Sequence, residues 1–457
     1  MAVREVPWPR DVAALARSLA ESGAWYWLDG GAVEPDGSRG RSHLGAAREV
    51  RHAVRGRERE FLSELRDGID TGAAAGWVIA LGYEFGVALM GLDPLPDDAA
   101  PGFALRRGTE LVLDHASGTA ELRGDDATEL DVWLDDHGAA LRSAVPADPA
   151  SGIGSGIGAG RAEAVPGTSP AEYEVDVEAC LAAIRDGDAY VLCLTDTSEV
   201  RGAFDPLGVY LRLREEGGHG PALRGAVIVA GERALVSTSP ERFLSVRDGW
   251  ASTHPIKGTR PRGHDDAADR ILAADLLADP KERAENLMIV DLMRNDLSRF
   301  CVPGTVAAAG VPRVESHPGV HQLVSTVRGR IGPGRDALDA LEACFPGGSM
   351  TGAPKRSAVE ILAQLEGAAR GLYSGCFGWI GGSERRVDRA ELAMTIRSIE
   401  LRGIGSSSAS VARVGAGGGV TIDSDPARER AEKDLKAAPL LAALFTDRPR
   451  GSHLAER

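Results

Sequence analysis

Between residues 190 and 256 the chain runs through five short apolar segments, "YVLCLTDT", "GAVIVAG", "RALVSTS", "RFLSVRD" and "WASTHPI", each ended by a polar or glycine-containing turn. Alternating runs of this length read as strands, so the middle of the chain is committed to sheet. The segment before them, "PAEYEVDVEACLAAIRDGDAY", has the period of an amphipathic helix and stops at a Gly-Asp turn. A stretch rich in glycine, serine and alanine precedes that helix and reads as a linker or surface loop over residues 150–167. Residues 1–149 mix strand and helix patterns, with "GWVIALGYEFGVAL" expected as a strand or strand pair. Residues 168–442 form the expected main domain, and 443–457 an expected disordered tail.

Composition narrows the partners. At 457 residues, 43% hydrophobic and 26% charged, the chain can bury the core of two or three soluble domains, or of one large domain with an appendage. A net charge of −15 argues against nucleic acid, and a small anionic substrate would need cations gathered locally. The start "MAVREVPWPRDV" lacks the basic residues and apolar run of a leader, and the longest apolar stretch contains Glu84, so no membrane span is expected. Five cysteines without a CxxC pair suit a reduced cytoplasm better than a disulfide framework.

Only five of the 52 basic residues are lysines: Lys257, Lys281, Lys355, Lys433 and Lys436. Under such an arginine bias, lysine is best retained where arginine cannot replace it. Lysine can lose its proton and act as a nucleophile or base, whereas arginine stays charged. This ranks Lys257, in "THPIKGTRPRG" at the end of the last strand, as a candidate, although a lysine at a turn is ordinarily a surface residue.

Glu282 and Glu285 share one face of the helix begun by "DPKERAENLMIVDLMRNDLSRF". Asp279 and Pro280 suit its N-cap and first position, and Glu282 suits a capping box. Glu429 and Glu432 repeat the spacing in "DSDPARERAEKDLKAAPLL". Such pairs are solvated helix faces or, set opposite one another, oxygen ligands for Mg2+. "FPGGSMTGAPKRSA" and "VGAGGGVTIDSDP" read as glycine loops, either plain turns or backbone cradles for an anion. "ELAMTIRSIEL" reads as a buried strand in which Arg397 needs an anionic partner, a structural carboxylate or a substrate's. Glu241, in "STSPERF", follows a strand where capping or exposure is the ordinary outcome.

In order, "SPERF", "PIKGTRPRG", "ERAENLMIVDLMRNDLSR", "FPGGSMTGAPKRSA", "GLYSGCFGWIG", "RSIEL" and "GAGGGVTIDSDP" with its two following glutamates resemble the chorismate-utilising enzymes over residues 168–440. The N-terminal part resembles that family's N-terminal region more loosely. The resemblance implies an α+β fold with two large orthogonally packed β-sheets flanked by helices. "PIKGT", where other branches carry alanine before Gly-Thr, is similar to the branch that makes aminodeoxychorismate. It implies that Lys257 attacks C2 of the chorismate ring as a neutral amine and that Glu241, its pKa raised, protonates the departing 4-hydroxyl. Ammonia then displaces the lysine at C4. By the same resemblance Glu285 and Glu432 bind Mg2+, with Glu282 and Glu429 acting through water. Thr259, Tyr373, Arg397, Lys436 and the backbone of Gly417 and Gly419 would grip the substrate. No stretch resembles a glutamine amidotransferase, so ammonia would come from glutamine through a separate amidotransferase subunit.

Two departures bear on the branch. Val191 stands where water-using members carry a lysine base, which argues against isochorismate or salicylate synthesis. Gln322 stands where many relatives carry histidine, with His321 one residue earlier and therefore on the opposite face. Loss of that histidine favours keeping the enolpyruvyl group over eliminating pyruvate. The remaining alternatives are anthranilate or 2-amino-2-deoxyisochorismate synthesis, and a non-catalytic regulatory subunit that binds chorismate or an aromatic amino acid.

Overall fold

The structure, a computed structural model, describes residues 2–31, 40–69, 76–142, 164–216, 224–308, 312–316, 320–383, 385–405 and 410–445. Most of the expected linker and tail, residues 150–163 and 446–457, lie outside the described residues.

Two long strands, Arg41–His52 and Gly102–Asp114, pair antiparallel along nearly their whole lengths and make a corner from which two wings of sheet extend. One wing continues through Trp25–Asp29, Arg224–Ala230, Arg233–Ser239, Ser398–Arg402 and Ser410–Val420 to Val191–Gly202. The other continues through Gly76–Leu81, Cys376–Ser383, Arg386–Met394, Arg242–Arg247 and Trp250–Thr253 to Val327–Arg330. Strands of both wings alternate two apolar faces, as sheets covered on both sides require. Tyr26, Leu28 and Ile228 of the first wing pack on Val78, Ala80 and Phe377 of the second and on Phe103 of the corner. The intervening Trp25 and Trp27 turn outward to Leu15, Trp133 and Tyr210 of the outer helices. The two large wings of this continuous sheet thus face each other with helices outside, the α+β arrangement that the resemblance implies.

Strands from either side of the expected linker share both wings, since Trp25–Asp29 pairs with Arg224–Ala230 and Gly76–Leu81 with Cys376–Ser383. A separate three-stranded sheet, Ile256–Pro261, Val320–Val324 and Arg313–Ser316, packs under helices Asp266–Ala278 and Pro280–Ser298.

Two local expectations change. "GWVIALGYEFGVAL" is one strand, Gly76–Leu81, followed by helix Tyr83–Leu89, not a strand pair. The chain turns at Gly82, where a Cβ would lie 2.6 Å from the Gly371 carbonyl oxygen. The glycines of "VGAGGGV" lie in a strand, not a loop: Ser410–Val420 pairs residue for residue with Val191–Gly202. Among the described residues no helix is long and apolar enough to cross a membrane. All five cysteines are free and buried.

Candidate active site

The small sheet delivers Lys257. Across its ladder Lys257 opposes Leu323 and Thr259 opposes Gln322, leaving Gly258 as an extra residue with φ +79°. A bulge with a left-handed residue calls for glycine, and it re-aims the side chains beside it. The Lys257 nitrogen lies 3.7 Å from the point a Cβ on Gly419 would occupy, and a Val191 methyl lies 3.5 Å from that same point. Among the described residues Lys257 is the one lysine whose nitrogen has neither a hydrogen bond nor an ion pair. Lys355 is bound by Asp296 at 2.6 Å, Lys433 by Asp196 at 3.3 Å and Lys436 by Glu432 at 2.7 Å, while Lys281 is 3.9 Å from Glu285.

Glu241 bears on the same space. It is buried, and Ser349 Oγ donates to its Oε1 at 2.8 Å. Burial raises its pKa to about 7, against the opposing pull of Ser349, Lys257 and Arg224. Ser349 comes from the Gly348–Met350 turn of "FPGGSM". Sequence reasoning did not single it out, and its only signal was membership of that motif.

The two ExxE pairs come from helices Pro280–Ser298 and Pro426–Ala442, started by Asp279 and Asp425, each followed by proline. Asp279 accepts the backbone N–H groups of Lys281 and Glu282. Glu282 does not complete a capping box; its carboxylate turns to Arg260 at 3.4 Å, a stronger partner than a backbone N–H. Burial raises the pKa of Glu285 against the pull of Lys257 and Lys281, and Glu282 and Glu429 add smaller repulsions. Burial likewise raises Glu429, against the hydrogen bond from Ser424 at 2.7 Å. At Glu432 burial acts in the same sense but is outweighed by Lys436, which leaves its carboxyl below the usual range. Four carboxylates from two helices therefore share one field. Among the described residues no three acidic, histidine or cysteine side chains close into a ready metal cage.

Beside them runs the glycine strand. Lys436 Nζ donates to Gly417 O at 2.8 Å. In a strand the N–H and C=O of one residue project to the same side, so the Gly417 N–H, and that of Gly419 two residues on, lie on the edge away from Val191–Gly202. Pairing with Ser398–Arg402 stops at Val414, which leaves this edge free of a strand from Gly415 onward. The buried Tyr373 ring lies flat against Gly415, where a Cβ would come within 2.1 Å of it.

Arg397 departs from its expected setting. The strand breaks after Met394, and Arg397 occupies a left-handed turn, φ +51°, whose carbonyl accepts from Thr238 N–H and Oγ1. Its side chain is exposed and has no ion-pair partner among the described residues; Tyr373 and Glu432 are the groups whose charge bears on it. Thr259 is exposed opposite Gln322. His321 is occupied by Ser316 and Asp269, at 2.8 and 2.9 Å, and Gln322 is buried with its Oε1 unpartnered. A cavity of about 600 Å3 lies elsewhere, lined by residues including Asp29, Arg224, Trp379 and Glu391.

The arrangement can therefore present an amine, a protonated acid, open backbone donors and a carboxylate cluster to one small anionic molecule. The family model described as chorismate binding enzyme matches residues 25–442. An aminodeoxychorismate synthase of Streptomyces pristinaespiralis is 36% identical over 97% of this chain and 65% of its own length. One of Streptomyces griseus is 39% identical over 82% and 51% respectively. Anthranilate synthase component 1 of Mycobacterium tuberculosis (strain ATCC 25618 / H37Rv) is 41% identical over 60% and 52%. The chain thus spans about half to two thirds of the length of these curated relatives. Among solved structures, anthranilate synthase component I from Streptococcus pneumoniae TIGR4 has a TM-score of 0.74 and 26% identity, over 88% of this chain and 92% of that one. The isochorismate synthase MenF from Escherichia coli, at TM-score 0.70 and 20% identity over 97% and 94%, shares the fold.

Proposed function

Because this chain belongs to the chorismate binding enzymes, we propose that it is the component I of an aminodeoxychorismate synthase, turning chorismate and ammonia into 4-amino-4-deoxychorismate and water. The observation that carries this reading is the Lys257 nitrogen, without a hydrogen-bond or ion-pair partner among the described residues, standing against the Gly419 edge with its charge bearing on Glu241. Lys257 Nζ forms a bond to ring C2 as the C4–O bond breaks, and Glu241 gives its proton so that the hydroxyl leaves as water. Ammonia then bonds to C4 as the C2–N bond breaks, and the proton ammonia sheds restores the acid. Lys436, Arg397, Tyr373 and the Gly417 and Gly419 N–H groups hold the substrate carboxylates, with Thr259 at the margin. Val191 keeps an apolar methyl where water would otherwise approach the ring.

The donor set fits Mg2+. Burial disfavours the Glu285 carboxylate, with lesser repulsion from Glu282 and Glu429, and a cation would relieve both; Mg2+ takes one or two protein carboxylates with water and substrate oxygens, not an all-protein cage. Glu285 and Glu432 would bind it, with Glu282 and Glu429 behind them; bound there, it would supply charge against the ring carboxylate. Ammonia would reach this cytoplasmic enzyme from a separate glutamine amidotransferase subunit. Similarity to anthranilate synthase component 1 favours anthranilate formation as the rival reading. The test is Lys257→Ala, which should lose most chorismate amination while keeping affinity for chorismate. Undiminished turnover would remove Lys257 from the mechanism.

A further inference from the structure

We propose that Arg370, which none of the motif-derived assignments includes, is a positioning residue that sets the general acid, the tyrosine grip and the glycine strand in one frame; the proposal rests on the site assignment above. Its guanidinium is buried and uses its whole fork. Nη1 donates to Met350 O at 2.7 Å and to Ser374 Oγ at 3.2 Å. Nη2 donates to Cys193 O at 2.9 Å and to Glu366 Oε1 at 2.7 Å, and Nε donates to Glu366 Oε2 at 2.8 Å.

Each contact leads to the site. Met350 follows Ser349, the hydroxyl that meets Glu241. Ser374 follows Tyr373 and is left-handed, with φ +63°, so it needs something to hold it. Cys193 opposes Gly419 across the ladder. Glu366 also accepts from the Thr195 N–H and Oγ1, both at 2.9 Å, and Thr195 opposes Gly417. The fork is itself fixed from behind. The Tyr83 ring lies 4.2 Å from the guanidinium carbon, and Glu84 accepts the backbone N–H groups of Arg370 and Gly371 at 2.7 and 3.0 Å. A planar fork of five donors suits these scattered acceptors; a lysine ammonium could keep the charge but reach only some of them.

A cavity of about 300 Å3, lined in part by Tyr83, Val359, Glu366 and Arg370, opens behind the fork and gives a small cation a way in. The experiment measures chorismate consumption by Arg370→Lys and Arg370→Gly, whatever the product, alongside thermal unfolding. Arg370→Lys should stay folded and lose about a hundredfold in kcat/KM, the scale of an ångström's misplacement. Arg370→Gly should regain at least part of its loss in millimolar guanidinium chloride, with saturation, and nothing in urea at the same concentration. If Arg370→Gly does not fold, the charge-neutral pair Arg370→Met with Glu366→Gln carries the test, since it leaves no buried charge unpaired. Folded and impaired, that pair supports the proposal. Wild-type kcat and KM in Arg370→Lys or in the pair, or a folded Arg370→Gly that guanidinium does not restore, would overturn it. A product other than aminodeoxychorismate would overturn the amination reading and leave the Arg370 comparison intact.

Discussion

A methyl group on Gly419 would stand 3.7 Å from the Lys257 nitrogen, in ordinary van der Waals contact, so the glycine there preserves space for something other than the protein. Two residues earlier the geometry differs: a Cβ on Gly417 would stand 2.1 Å from the Leu194 carbonyl oxygen, and that glycine preserves the sheet. Gly419→Ala should therefore leave the melting temperature nearly unchanged and lower kcat/KM for chorismate about tenfold or more. Gly417→Ala should lower the melting temperature, by about 1–3 kcal/mol of stability. Calorimetry and steady-state kinetics on the two variants separate these effects.

The buried acid predicts a pH dependence with a definite sign. Glu241 has a folded pKa of about 7 against 4.5 ordinarily, so folding favours its protonated form. That contribution to stability is fully present below about pH 4.5 and is lost as pH rises through about 7, for a total of about 3 kcal/mol. Glu241→Gln should flatten this part of the stability curve and abolish turnover. In the unmodified protein, kcat at fixed free ammonia should fall as pH rises through about 7, because the deprotonated acid cannot serve the leaving hydroxyl.

Mg2+ should bind without substrate or turnover. Titration calorimetry should give a signal that Glu285→Gln and Glu432→Gln nearly remove, while Glu282→Gln and Glu429→Gln weaken affinity about 10–100-fold. Saturating Mg2+ should also raise the melting temperature, with about 2.7 kcal/mol expected at a hundred times the dissociation constant. An unchanged signal in Glu285→Gln would locate the cation elsewhere.

Lys355 offers the opposite case to Lys257. Its nitrogen is bound by Asp296, Cys344 O and Pro346 O at 2.6, 2.9 and 2.8 Å. Lys355→Met leaves Asp296 buried and unpaired and should cost about 3–5 kcal/mol by denaturant unfolding. Activity per folded molecule should change little.

The helix starts at Asp279–Pro280 and Asp425–Pro426 were legible because capping and proline are local signals, and so were the strands from Val191 to Thr253. Lys257 stood out through its rarity. Arg397 was misread because apolar neighbours on both sides mimic a continuous strand, and only the Thr238 contact reveals the turn that breaks it. The glycines at 415–419 were misread as a loop, since pairing with Val191–Gly202 is a long-range property that glycine composition hides. Ser349 and Arg370 left no periodic or spacing signal of their own. Their roles depend on distant partners: Ser349 on Glu241, 108 residues away, and Arg370 on Cys193 and Glu84, 177 and 286 residues away.

In the proposed reaction Lys257 directs ammonia to C4 and the enolpyruvyl group is kept, so the product itself is the test. The measurement is product identification by mass spectrometry and fluorescence, after incubating the purified chain with chorismate, Mg2+ and an ammonium salt at mildly alkaline pH. The expected product retains the enolpyruvyl group and carries an amine in place of the 4-hydroxyl. Fluorescent anthranilate with released pyruvate would contradict the proposed reaction.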